Sequence, residues 1–286
     1  MGESCATWRS LWAEAEAALG SSLEGRRIVE RASGFDGADL LLHLDEVAPA
    51  RTIPFVLGMV SRRAAGEPLQ YVVGRWGFRG LDLLVDRRVL IPRPETETVV
   101  SIALAELARL ELDRAPLVAD LGTGSGAIAL SVATEVESAL VWATDRSTDA
   151  LAVARANLAG LGSRPATRVR LAEGDWFEAL PAELRGRFDL VVANPPYVAA
   201  GEVLSAGITD WEPASALWAG PTGLEAIAAI VGEARDWLAR PGVLVLELAS
   251  HQAGRAMALA EHAGLTGVDV RPDLAGRLRA LVAHAT

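Results

Sequence analysis

Leu117-Val118-Ala119-Asp120-Leu121-Gly122-Thr123-Gly124-Ser125-Gly126 is the stretch from which the fold can be read. An apolar run of strand length meets alternating glycines, and beyond them residues 128–134 return to a pattern that suits a helix. Glycine reaches positive φ without a Cβ penalty, so a turn of this kind is tight and leaves its backbone open to a ligand. A nucleoside-cofactor loop is the functional reading, with Gly122, Thr123, Gly124, Ser125 and Gly126 as its contacts. The structural alternative is a turn that needs its glycines only for backbone reasons.

Outward from this stretch, short apolar runs alternate with amphipathic ones, which is the sequence form of a doubly wound α/β sheet. Strands are expected at 117–121, 140–144, 169–173, 188–193 and 243–247, with two more at 266–271 and 279–283. Helices are expected at 128–134, 148–159, 223–238 and 252–263. A seven-stranded α/β domain over residues 91–286 is implied, opened by Pro92, Pro94 and a helix at 95–110. Upstream, apolar residues recur at helical spacing, as in Leu40, Leu41, Leu44 and Val47, and predict a small all-helical domain over residues 1–66. Between them, residues 67–90 read as a β-hairpin linker, with strands at 70–73 and 81–85 separated by Gly74, Gly77 and Gly80.

The second predicted strand of the α/β domain ends in Asp145, about 20 residues after the glycines, where a doubly wound fold hydrogen-bonds a ribose diol. The alternative for Asp145 is the N-cap of the next helix, a role that Ser147 fills equally well. The third strand ends in Glu173-Gly174-Asp175-Trp176, and Trp176 offers a plane to cover an adenine, unless it is simply core. The fourth is followed by Asn194-Pro195-Pro196-Tyr197. Two prolines fix the backbone there and end the ladder. The Asn194 side-chain oxygen and the Pro195 carbonyl together accept two hydrogen bonds from one NH2 group, while Tyr197 presents a face to a flat substrate. This is chemistry for a planar nitrogen.

Composition narrows the classes of function. Half of the 286 residues are hydrophobic, 51%, and 22% are charged, which is globular composition with no sign of disorder. No apolar stretch approaches the roughly 20 residues that cross a bilayer, and the N-terminus is acidic and tryptophan-bearing, so a cytoplasmic location without membrane contact is expected. A lone cysteine, Cys5, has no partner for a disulfide and no ligands at metal spacing, so no metal is expected. All 27 basic residues are arginine and the formal net charge is −10, which disfavours nonspecific duplex binding.

These motifs together resemble the class I S-adenosylmethionine-dependent methyltransferases of the amino-methylating group, whose DNA adenine, RNA guanine and protein glutamine members share Asn-Pro-Pro-Tyr after the fourth strand. Glu67-Pro68-Leu69-Gln70-Tyr71 and Val89-Leu90-Ile91-Pro92-Arg93-Pro94-Glu95-Thr96-Glu97 are similar to blocks of the protein-(glutamine-N5) methyltransferase family of release factors, HemK/PrmC. So are Glu212-Pro213, Gly223-Leu224, Leu246-Glu247 and Asp273-Leu274-Ala275-Gly276-Arg277. The resemblance implies S-adenosyl-L-methionine as cofactor and methyl transfer to the glutamine of a Gly-Gly-Gln motif in peptide chain release factors. In its terms Asn194, Pro195, Pro196 and Tyr197 form the catalytic loop, and Gly122–Gly126, Asp145, Trp176 and Asn194 hold the cofactor. No nucleic-acid substrate is expected, although a glutamine methyltransferase of a ribosomal protein or a nucleic-acid amino-methyltransferase would use the same loop. Thr222 and Leu278 depart from the family pattern, standing where an acid and a charge are usual.

Overall fold

The structure, a computed structural model, describes residues 6–286, so Cys5 lies outside the described residues. It contains two compact units: residues 6–75 with Ser205–Trp211, and Trp76–Leu204 with Glu212–Thr286.

In the first unit the chain runs through α1 (Trp8–Leu19), α2 (Ser22–Ser33), α3 (Gly37–His43), α4 (Ile53–Ala64) and α5 (Leu69–Val73). Local chemistry sets the ends. Thr7 and Ser10 form a reciprocal capping box at the start of α1, and Gly20 closes that helix in the left-handed region at φ 67°. Trp8, Leu11 and Ala15 share one stripe of α1 and bury it against Ile28, Val29, Leu40, Val56 and Met59.

Residues 70–73 correct an expectation. They form α5 instead of a hairpin strand, although their β-branched and aromatic composition favours extension. Capping and burial override that propensity: the Pro68 carbonyl accepts from the N–H groups of Tyr71 and Val72, and Gly74 ends the turn at φ 71°. Tyr71 and Val72 are both buried, and the Arg62 guanidinium donates to both of their carbonyls. The hairpin begins later, as β1 (Arg75–Phe78) and β2 (Leu81–Leu84).

Beyond the hairpin come α6 (Pro94–Arg109), β3 (Leu117–Leu121), α7 (Ala127–Glu135), β4 (Leu140–Asp145), α8 (Thr148–Gly160), α9 (Ser163–Ala166), β5 (Val169–Glu173) and β6 (Phe188–Ala193). The chain continues through β7 (Val198–Ala199), α10 (Ala206–Thr209), α11 (Ala214–Leu217), β8 (Trp218–Gly220), α12 (Glu225–Trp237), β9 (Leu238–Glu247), α13 (Ala253–His262), β10 (Thr266–Pro272) and β11 (Leu278–Ala285). One seven-stranded sheet has the order β10-β11-β9-β6-β3-β4-β5; it is parallel except for β11, which runs antiparallel to both neighbours.

Every residue of β6 is buried, as a parallel strand covered on both faces must be. Ala119, Leu121, Val191, Ala193, Leu244 and Leu246 face α12 and α13, with Trp237 stacked on Phe177. The charged exception in β6 is Asp189, whose carboxylate receives Arg114 at 2.7 and 2.8 Å and the Leu117 N–H at 2.8 Å. It ties the start of β3 to β6. The strand expected at 243–247 begins earlier, at Leu238, because Leu238 pairs with Phe188 before the register shifts near Pro241-Gly242. No helix among the described residues is long and apolar enough to cross a membrane.

Two features of this sheet position the site. The chain proceeds from β3 to β4 and β5 on one side and returns to β6 and β9 on the other, so the loops after β3 and β6 part and leave a crevice at the switch point. Register then sets the height of each loop: Leu121 lies opposite both Thr144 and Ala193, and Ala193 lies opposite Leu246.

Candidate active site

The glycine loop leaves β3 at Gly122, and the N–H groups of Gly122 and Thr123 both donate to the Thr144 carbonyl, at 2.9 and 2.8 Å. Gly122 has φ 75°, and a Cβ there would stand 3.3 Å from the Trp176 ring. Positive φ and close approach together require glycine. Trp176 itself takes the left-handed region at φ 44°, an uncommon conformation for an aromatic residue, and its ring lies close enough against Gly122 to wall the crevice. Gly126, at φ 86°, turns the chain into α7. From α8, the buried Asn157 side chain donates to the carbonyls of Ser125 and Leu84 and accepts from the Leu84 N–H, bracing the loop against β2.

At the end of β4, Asp145 accepts the Gly124 N–H on one carboxylate oxygen and the Ser147 N–H on the other, each at 2.9 Å. The cap of α8 is Ser147, whose hydroxyl accepts from the Ala150 N–H at 3.2 Å. Burial raises the Asp145 carboxyl above its ordinary value, against the lowering effect of those two amides.

Beneath the loop lies Asp120, which is fully buried. One of its oxygens accepts from the Thr123 hydroxyl at 2.6 Å and the Ala129 N–H at 3.0 Å; the other has no partner. Burial pushes this carboxyl from 3.8 up to about 7. The folded protein therefore holds a proton that the unfolded chain has lost between about pH 4 and 7. Stability from this group is full below that window and lost as pH rises through it. Asp120→Asn should flatten this part of the profile of the cofactor-free protein, measured as denaturation midpoints from pH 4 to 8. Equal slopes for variant and wild type would assign the pH dependence elsewhere.

Asn194 follows β6, beside the crevice. Its Nδ2 lies 3.2 Å from the Thr96 hydroxyl on α6, and that hydroxyl lies 2.6 Å from Glu247 Oε2 at the end of β9. The Tyr197 hydroxyl reaches Glu247 Oε1 at 3.4 Å. Burial is the main cause that raises Glu247 and that pushes Tyr197 up to about 12, with the Glu247 charge adding to the latter. Gln252 clamps the loop from behind, donating to the carbonyls of Tyr197 at 2.8 Å and Gly223 at 2.9 Å. The buried Glu212 carboxylate holds the Ile91 N–H at 3.0 Å and pairs with Arg93, which keeps the segment around Pro92 close to Pro213. Thr222, where the family pattern has an acid, opens α12 by accepting the Leu224 N–H at 3.3 Å and donating to Glu225.

One cavity gathers most of these residues. Gly122, Thr123, Gly124, Ser125, Asp145 and Trp176 border it on one side, and Asn194 and Pro196 on the other. Gly126, Pro195 and Tyr197 do not border it. Thr96, Pro92 and Pro213 also line it; sequence reasoning did not nominate them as site residues, nor did it nominate Asp120, Asn157 and Glu247 around the cavity. A buried acid at the end of an apolar strand was the available signal for Glu247.

The strand order and the two loops at its switch point define this unit as a class I methyltransferase. The family described as "Methyltransferase small domain" matches residues 102–210, and "PrmC N-terminal domain" matches residues 10–74. The release factor glutamine methyltransferase of Bordetella pertussis is 45% identical over 256 residues, covering 89% of this chain and 91% of that protein. The Burkholderia pseudomallei protein of the same description is 41% identical over 262 residues, 91% of this chain and 90% of that one. A crystal structure of a methyltransferase from Pyrococcus furiosus shares the fold, with a TM-score of 0.50 at 21% identity over 72% of this chain and 89% of that chain. The chain belongs to the release factor glutamine methyltransferase family.

Proposed function

We propose that this chain transfers the methyl group of S-adenosyl-L-methionine to the side-chain N5 of the glutamine in the Gly-Gly-Gln motif of peptide chain release factors. The observation that carries the reading is that Gly122 and Asn194 leave adjacent parallel strands at one level and border the same cavity. Cofactor and acceptor then meet without a large motion. The residues present fit the cofactor: Asp145, which borders the cavity, keeps lone pairs for a ribose diol, and Trp176 supplies a plane for adenine. A cytoplasmic location accords with this substrate.

The cofactor, when bound, supplies a methyl group made electrophilic by its sulfonium. An amide nitrogen is a poor nucleophile because its lone pair is delocalised into the carbonyl, and no accessible side chain deprotonates it at neutral pH. Positioning has to do most of the work. Asn194 Oδ1 and the Pro195 carbonyl accept the two amide hydrogens, orient the nitrogen towards the methyl group, and stabilise the positive charge that grows there. Pro196 stiffens this geometry, and Tyr197 offers its ring on the acceptor side. The proton leaves after transfer.

Labelled cofactor, offered separately with release factor, ribosomal proteins and DNA, tests the reading. Label on the glutamine of the release factor alone is expected. Labelled ribosomal protein or DNA with an unlabelled release factor would replace this reading with one of its two rivals.

The division of labour is part of the same proposal. Residues 1–66, with α5 packed among them, recognise the protein substrate, the hairpin from Arg75 links, and 91–286 hold cofactor and chemistry. A chain starting near Glu67 should bind cofactor yet methylate intact release factor poorly. Undiminished turnover on the intact protein would remove the recognition role.

A further inference from the structure

The contacts behind Asn194 have a direction. A hydroxyl carries one hydrogen, and an ionised carboxylate only accepts. The Thr96 hydroxyl donates to Glu247 Oε2 at 2.6 Å, and this bond, the Tyr197 hydroxyl and the Arg279 charge favour the ionised carboxylate against the burial that raises it. Glu247 is 1% exposed, and the largely covered Arg279 side chain sets a positive charge near it. Its one hydrogen spent on Glu247, Thr96 meets Asn194 as an acceptor, and the 3.2 Å contact must run from Asn194 Nδ2. The other end of the amide, Oδ1, is thereby left for a ligand in the cavity that Asn194 borders.

We propose that Glu247 is a positioning residue for methyl transfer: through the Thr96 hydroxyl it fixes which end of the Asn194 amide faces the acceptor nitrogen. This rests on the role given to Asn194 above. The parallel register that sets Ala193 opposite Leu246 carries Asn194 and Glu247 out of the sheet side by side, and Thr96 from α6 closes the gap between them. In Glu247→Gln the amide must turn its NH2 to either the Tyr197 or the Thr96 hydroxyl; the phenol is the poorer acceptor, so the NH2 donates to Thr96 and frees the hydroxyl hydrogen for Asn194. The amide then turns over and presents a donor to a donor.

The test is the single-turnover rate on release factor with saturating cofactor, for Glu247→Gln, Thr96→Val and Thr96→Ser. Wild type is measured first; if it leaves the release factor unmodified, the functional reading itself has failed. With wild type active, Glu247→Gln and Thr96→Val should each slow transfer on the order of tenfold to a hundredfold, since misplacement of a reacting group from outside the chemistry costs up to about 10²-fold. Cofactor Kd and the KM for release factor should move far less, and Thr96→Ser should recover most of the rate. Combined with Asn194→Ala, Glu247→Gln should slow transfer no further, because the amide it orients is gone. A purely structural role would instead lower rate, affinity and melting temperature together and add to the loss in Asn194→Ala. Should Glu247→Gln fail to fold, the Thr96→Val and Thr96→Ser pair decides. Unchanged rates in the folded variants, or equal slowing by Thr96→Ser, would overturn the proposal.

Discussion

Asn194→Ala should lower the rate of methyl transfer by about 10²–10³, the loss expected on removal of one preorganised polar group aimed at developing charge. The side chain is placed for this by its neighbours: β6 carries it to the crevice, Pro195 and Pro196 stiffen the loop beyond it, and Thr96 holds its Nδ2. Truncation removes the acceptor at the moment the attacked nitrogen becomes positive, so the effect belongs on turnover. Cofactor affinity should fall by much less, although the same side chain borders the cavity that the glycine loop lines. Asn194→Asp sharpens the test, since it keeps an acceptor but adds charge, and should retain weak activity with disturbed placement of both ligands. Single-turnover assays at saturating cofactor read this directly. A rate equal to wild type for Asn194→Ala would reduce Asn194-Pro195-Pro196-Tyr197 to a structural turn.

Asp145→Ala should weaken binding of S-adenosyl-L-methionine by about 1.5–3 kcal/mol, the range for hydrogen bonds to a charged group, or roughly a factor of ten to a hundred. Two effects join here. The variant loses the acceptor proposed for the ribose hydroxyls, and it releases the Gly124 and Ser147 N–H groups that the carboxylate now holds. Asp145→Asn separates them, because its one remaining oxygen serves either the loop or the ribose. It should fall between alanine and wild type. Calorimetric titration checks both variants, and an unchanged affinity for Asp145→Ala would take the residue out of the cofactor site.

The central sheet was legible because parallel strands buried on both faces are continuous apolar runs: residues 117–121 and 188–193 occupy in the structure the spans that the pattern predicts, as does the half-exposed edge strand 169–173. Residues 70–73 misled because extended propensity is weak beside a capped turn whose tyrosine and valine are buried. The two loops were legible from local chemistry: glycine permits positive φ and proline fixes φ, whatever surrounds them. Glu247 and Thr96 were not, because their importance is a matter of meeting. Thr96 is 98 residues from Asn194 and 151 from Glu247, and it takes both the register of β9 on β6 and the packing of α6 across these strands to bring the three together. Nothing local in the chain records that pairing.

The side-by-side pairing of Leu121, Ala193 and Leu246 also bears on entropy. Fixing the backbone of one residue costs about 1–2 kcal/mol, and a site assembled from free loops bears that cost each time it closes on its ligands. Here the residues that precede Gly122, Asn194 and Glu247 are ordered by ladder hydrogen bonds that the fold requires anyway. Their freedom is surrendered once, when the chain folds. What remains to be ordered at each turnover is the cofactor, the substrate glutamine and the loops beyond these anchor points, so less binding energy is drawn away from the alignment of nitrogen and methyl group.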